Sequence, residues 1–198
     1  GEYLLFLNND VEIITESWLE EMLQLCQQKD VGMAGAKLYY PDDTIQHAGV
    51  VVGLGGVAAH VLCKLPRDAE GYMGRLRCVQ EISAVTAACM MVKTSVFKAV
   101  GGFDEELKVA FNDIDLCMKV RKYGVKIVFT PYAELYHYES KSRGMEDTPE
   151  KQLRFSREVN CFRRKWEREL LKGDPYYNPN LTLNNTDCSL RKQEKNGD

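Results

Sequence analysis

The chain has 198 residues, 44% of them hydrophobic and 28% charged, with a formal net charge of −3. That length suits one ordinary domain with a sizeable core, and the slightly acidic balance excludes the overall basic footprint of a nucleic-acid binder. No apolar run is long enough to cross a bilayer. The seven cysteines are scattered without a CxxC pair, which excludes a disulfide framework or zinc site and points to reduced thiols in a cytoplasmic protein.

Residues 3–7 (YLLFL) predict a strand apolar on both faces, as in the centre of a parallel sheet. The strand stops at Asn8-Asn9-Asp10, which is either a simple turn or a ligand site at a strand's carboxyl end. Gly1-Glu2 leads into this strand without an initiator Met, so the chain reads as part of a longer protein. Ser17 and Glu20 have capping-box spacing, and Leu19, Met22, Leu23 and Cys26 predict a helix to about Lys29. Residues 31–40 and 44–53 predict strands around the turn at Pro41-Asp42-Asp43, the second ending in Gly53, Gly55 and Gly56. Gly53-x-Gly55-x-x-Ala58 fits a dinucleotide fingerprint only weakly, without the expected acid about 20 residues on, and reads better as a glycine loop.

Residues 57–77 carry little pattern. A strand follows within 79–92, then a short helix from Thr94 closed by Gly101-Gly102, then the loop Phe103-Asp104-Glu105-Glu106. Asp113 predicts the cap of a helix whose inner face is Leu116, Cys117 and Val120 and which ends at Gly124. Asp113 and Asp115 are equally suited to the helix dipole and to a general base acting on a hydroxyl. Residues 126–140 predict an aromatic strand that reaches His137, either a structural histidine or a metal ligand. Thr148-Pro149 starts a helix to about Leu171, with Phe155, Val159, Phe162, Trp166 and Leu170 on one stripe. Across 149–172 there are eight basic and four acidic residues. This reads first as a solvated outer face packed on the domain, and second as a peripheral contact with an anionic membrane. Residues 173–198, rich in Asn and charge, predict a poorly ordered tail. Strands alternating with helices give an α/β class.

Taken together, LFLNNDVEI, TIQHAGVVVG, AVTAACMMVKTSVFKAVGGFDEEL, FNDIDLCMKVRKYG and HYESKSRG resemble the inverting glycosyltransferases of family 2, in particular its rhamnosyltransferase-like members. The resemblance covers residues 1 to about 170. It implies a GT-A fold, with a mixed, mainly parallel sheet flanked by helices and incomplete here because the N-terminal nucleotide-binding half is missing. Residues 1–172 would be the metal and acceptor half. By the same resemblance, Asp10 and His137 bind Mn²⁺ or Mg²⁺. Asn8, in place of the family's first Asp, and Asn9 face the donor nucleotide, and Arg143 meets its phosphate. Asp113 is the general base, while Asn112 (where the family has Glu), Asp115 and Asp104 support it or meet the acceptor. The implied activity moves a sugar from a nucleotide-sugar donor to a glycan or lipid-linked hydroxyl, at the inner face of the membrane, with this portion alone inactive. Two other readings remain: a non-catalytic sugar- or nucleotide-binding module, suggested by the two amide replacements, and a metal-dependent hydrolase that uses water in place of an acceptor.

Overall fold

A computed structural model describes residues 1–138 and 148–192. Among these residues nine strands and five α-helices follow in chain order: β1 (Tyr3–Leu7), β2 (Val11–Ile13), α1 (Trp18–Cys26), β3 (Val31–Tyr39), β4 (Ile45–His47), β5 (Val50–Val52), β6 (Ala58–His60), β7 (Gln80–Glu81), β8 (Cys89–Lys93), α2 (Thr94–Ala99), α3 (Asn112–Tyr123), β9 (Lys126–His137), α4 (Pro149–Lys165) and α5 (Glu167–Lys172). The main sheet has the order β1-β8-β3-β9-β2, with β4 paired to β3 and β7 to β9. β1, β3 and β9 all run the same way, but β8 lies reversed between β1 and β3.

The α/β architecture with a mixed sheet is as expected, but the parallel share is smaller than expected. Among the described ladders, β3–β9 is parallel, and β1–β8, β3–β8, β2–β9, β3–β4 and β7–β9 are antiparallel. The reversal of β8 follows from its connection. β8 begins with Cys89 opposite Leu7 at the carboxyl end of β1, where Asn8 N–H donates to Ala88 O (3.0 Å).

The sheet buries both faces. Met22, Cys26, Ala34, Ala36, Leu38, Met91 and Leu135 form the layer under α1. Met33, Tyr39, Met90, Val92, Leu116, Cys117, Phe129 and Phe162 form the larger layer under α3, α4 and the β5–β6 ribbon. Gly35 on β3 is what allows Val85 to lie on the sheet, since a Cβ there would come within 2.3 Å of the Val85 side chain.

Several local expectations are corrected. Ser17 precedes α1 without a side-chain cap bond, and the helix closes at Cys26. The strand expected over 44–53 is broken at Gly49, whose φ of +101° turns the chain from the main sheet into the separate β5–β6 ribbon. Gly53, Gly55 and Gly56 form the turn of that ribbon, held by Gly55 N–H on Leu183 O (2.8 Å) and Arg163 Nε on Gly56 O (3.2 Å). Thr148 caps α4 through Lys151 N–H (3.3 Å) with Pro149 in the first turn, but the helix breaks at Trp166 before α5 resumes. The break coincides with the Trp166 indole donating to buried Asp115 (2.8 Å).

Residues 173–192 are not the loose tail predicted from composition. Asp174 accepts from Val52 N–H (2.8 Å), Leu62 N–H donates to Thr186 O (2.6 Å), and Tyr177, Leu181 and Cys188 are buried. A few well-spaced apolar residues are enough to seat an otherwise polar segment on the β5–β6 ribbon. The thiols of Cys26 and Cys89 are buried in the core, and burial pushes each up to about 12, as inert structural cysteines require. Among the described residues no helix is long and apolar enough to cross a membrane. Arg163 and Lys165 on α4 are exposed residues whose side chains bond Gly56 O and Asp104 and Asp115.

Candidate functional site

The carboxyl ends of β1, β3 and β9 lie at one edge of the sheet, with the start of β8 between β1 and β3, and residues 8–10 lead from the end of β1 to β2 beside β9. This connection brings distant side chains together. Asn8 Nδ2 lies 3.0 Å from His137 Nε2, and Asp10 Oδ1 lies 3.3 Å from the same nitrogen. Asp10 is also tied through its backbone, accepting from Tyr138 N–H (2.9 Å). An imidazole nitrogen and a carboxylate oxygen facing each other in this way are the donor types that a divalent metal ion takes. Asn9 is exposed beside them.

The turn of residues 86–88 ties this trio to α3. Asn8 N–H donates to Ala88 O (3.0 Å), Thr86 N–H donates to His47 Nε2 (3.5 Å), and Ala87 N–H donates to Asp113 Oδ2 (3.1 Å). Asp113 Oδ1 also accepts from Ile114 N–H (2.9 Å), so its carboxylate is oriented by two backbone donors. Asn112 accepts from Asp113 N–H (2.7 Å) and so seats the first turn of α3. The structure therefore unites Asn8, Asp10, His137 and Asp113 around one short turn, with Asn112 at its margin.

Asp104 and Asp115 do not join this group. Asp115 is fully buried, with ion pairs to Lys119 (3.0 Å) and Lys165 (2.8 Å) and the Trp166 indole bond. Asp104 pairs with the same Lys165, whose hydrogen bond holds its carboxyl below the ordinary range. Both expected acceptor contacts are thus occupied in fastening α4 to α3 and to the Gly102-Phe103-Asp104 loop. The dipole argument for Asp115 overlooked that its position on α3 faces α4. Arg143 lies outside the described residues.

Two residues important to the site carried little or no sequence signal. Glu158 on α4 is buried, and its carboxylate accepts from three consecutive backbone donors, Lys108 N–H (3.1 Å), Val109 N–H (3.2 Å) and Ala110 N–H (2.9 Å). It thereby sets the loop that enters Phe111, in the left-handed region at φ 63°, and then Asn112-Asp113. In sequence it is one acid among many charges on a basic helix. Gln46, within the TIQHAG stretch, touches His137 twice, with Oε1 2.7 Å from Nδ1 and Nε2 3.3 Å from the carbonyl oxygen. Beside it opens a cleft of about 270 Å³, bordered by Gln46, His60, Cys63, Thr86, His137 and Thr186. All three histidines of the chain meet here, His47 Nδ1 lying 3.0 Å from His60 Nδ1. Burial, then the neighbouring His60 and His137 rings, hold His47 well below the usual histidine value. A neutral, fixed His47 stands between the cleft and the turn that carries Asp113.

Comparison with known proteins follows from this geometry. A sequence model described as a glycosyltransferase-like family matches residues 1–158. An uncharacterised protein of Sinorhizobium fredii is 56% identical over 191 residues, covering 96% of this chain and 21% of its own length. The O-antigen biosynthesis protein RfbC of Myxococcus xanthus is 41% identical over 199 residues, covering 100% of this chain and 15% of its own length. The chain thus spans about a fifth or less of these relatives. Among solved structures, GalNAc-T7 with UDP, GalNAc and Mn²⁺ superposes over 86% of this chain and 33% of its own, with a TM-score of 0.59 at 13% identity, a likeness of fold.

Proposed function

Because the chain belongs to the glycosyltransferase-like family and carries its GT-A-type fold, we propose that it forms the metal and acceptor side of a transferase site. That site moves a sugar from a nucleotide-sugar donor to a glycan or lipid-linked hydroxyl, with inversion. The observation that carries this reading is the convergence of Asn8, Asp10 and His137 at the strand ends, with Asp113 held by the adjoining turn.

Asp10 and His137 would hold a divalent cation, Mn²⁺ or Mg²⁺, with Asn8 alongside. The donor set fits such an ion only in part. Among the described residues no group of three or more His, Cys, Asp or Glu side chains is placed to hold a metal ion by itself, so donor phosphate oxygens and water would complete the shell. When bound, the ion supplies charge neutralisation to a departing diphosphate. Asp113 takes the proton from the acceptor hydroxyl as that oxygen attacks the anomeric carbon. Its two backbone donors fix the carboxylate in place, and both oxygens keep further lone pairs for the incoming proton. Asn9 faces the donor, and Arg143 is assigned to its phosphate on the family resemblance alone. The Myxococcus relative is an O-antigen biosynthesis protein, and a surface-glycan acceptor is the corresponding assignment here.

A thermal-shift titration with Mn²⁺ and UDP, GDP, dTDP or CMP, on this chain and on a version extended toward its N-terminus, tests the reading through ligand stabilisation of the native state. A shift with one metal–nucleotide pair supports it. No shift in either protein overturns it in favour of a non-catalytic module, in which the amides at Asn8 and Asn112 mark a site without turnover.

A further inference from the structure

We propose that Gln46 is a positioning residue that locks His137 in a single tautomer and turns its Nε2 lone pair toward Asp10. The inference rests on the metal-site reading above and assigns a task to the TIQHAG stretch that the reaction itself leaves unexplained.

The argument is one of donors and acceptors. The carbonyl oxygen of His137 can only accept, so the Gln46 group 3.3 Å away must be the amide NH₂. That fixes the amide orientation and sets its oxygen 2.7 Å from His137 Nδ1. An amide oxygen can only accept, so Nδ1 must carry the ring proton. The neutral ring then has its lone pair on Nε2, the nitrogen that faces Asn8 Nδ2 and Asp10 Oδ1. Asn8 donates to this lone pair, which satisfies the nitrogen until a cation replaces the contact. One side chain thus grips both the ring and the backbone of His137.

The grip is rigid because Gln46 sits on a supported strand. β4 pairs with β3 on one side. On the other, Ile45 N–H donates to Leu65 O (2.8 Å), Lys64 N–H to Ile45 O (2.8 Å), and the Cys63 thiol to Gln46 O (3.0 Å). Gln46 and His137 are both buried, so water does not compete for the contacts. Partners that set the tautomer of a ligating histidine typically change metal affinity 10- to 100-fold when removed.

The test is long-range ¹H–¹⁵N correlation on the ¹⁵N-histidine-labelled chain, whose three histidines are assigned by single substitution, together with Mn²⁺ binding followed by electron paramagnetic resonance. The wild type is expected to show His137 protonated at Nδ1. Gln46→Leu should populate the Nε2–H form and weaken Mn²⁺ binding by about 10- to 100-fold. Gln46→Glu keeps the acceptor at Nδ1 but loses the donor to the His137 carbonyl, and should keep the Nδ1-protonated ring. A wild type protonated at Nε2, or a Gln46→Leu variant with unchanged tautomer and Mn²⁺ affinity, overturns the proposal. A wild type with the expected tautomer that binds no Mn²⁺ overturns the metal reading while the clamp stands.

Discussion

Replacing Glu158 by alanine strikes at the loop that presents the proposed base. The carboxylate receives three backbone N–H groups, from Lys108, Val109 and Ala110, at 2.9–3.2 Å. Hydrogen bonds to a charged acceptor contribute about 1.5–3 kcal/mol each. Lys108 is exposed and can turn to water, whereas Val109 and Ala110 are half-buried, so two of the three bonds are lost outright. The expected loss is about 3–6 kcal/mol, a fall in melting temperature on the order of 10 °C for a chain of this size. Urea unfolding followed by circular dichroism reads it directly. Glu158→Gln, which keeps one acceptor oxygen and the volume, should fall between. An alanine variant within about 1 kcal/mol of wild type would show that water substitutes for the carboxylate and that α4 does not hold the Asp113 loop.

Other outcomes follow from the same geometry. Asp113→Asn in the full-length protein should lower sugar transfer by about 10²- to 10⁴-fold with little change in melting temperature, because the amide oxygen can still accept from a backbone donor; transfer at the wild-type rate removes Asp113 as base. His47 has a depressed folded-state pKa, so below the ordinary value of 6.5 the unfolded chain takes up the proton first. Stability should therefore be intact above 6.5 and fall as the pH drops below it, by up to about 1.4 kcal/mol per pH unit, levelling once His47 itself protonates in the fold. His47→Gln should flatten that slope in urea melts, and an unchanged slope refutes the assignment. Deleting residues 173–198 uncovers the partners of Tyr177 and Leu181 and breaks the Asp174–Val52 bond. At about 1.5–3 kcal/mol per buried side chain the loss approaches 5 kcal/mol, and equal melting of the truncated and full chains would contradict it.

Local signals in the sequence carried much of this. The apolar run into Asn8-Asn9-Asp10, the strand reaching His137 and the Thr148-Pro149 helix start are where patterning and capping place them, whereas α3 begins at Asn112 with Phe111, and not Asp113, in the cap position. These are features written within a few residues of chain. What escaped depends on residues far apart. Nothing near Glu158 announces that its carboxylate will meet residues 108–110, and Gln46 gains meaning only once β4 is laid beside the end of β9. Asp115 looked like its neighbour Asp113 because both suit a helix start, and only the packing of α4 separates the buried anchor from the proposed base. The reversed β8 was equally invisible, since strand direction is a property of the connection and leaves no mark in the strand.

That reversed strand also sets an order of events. β1 pairs with β8, and Tyr3 lies opposite Lys93, so β1 meets this partner only after some ninety further residues of chain. Loop closure over such a span must precede any gain from that pairing, which slows folding. Until then the β8-facing edge of a strand whose Leu5 and Leu7 stay exposed even in the finished fold is unpaired. That edge is open to capture by another chain for as long as β8 is missing.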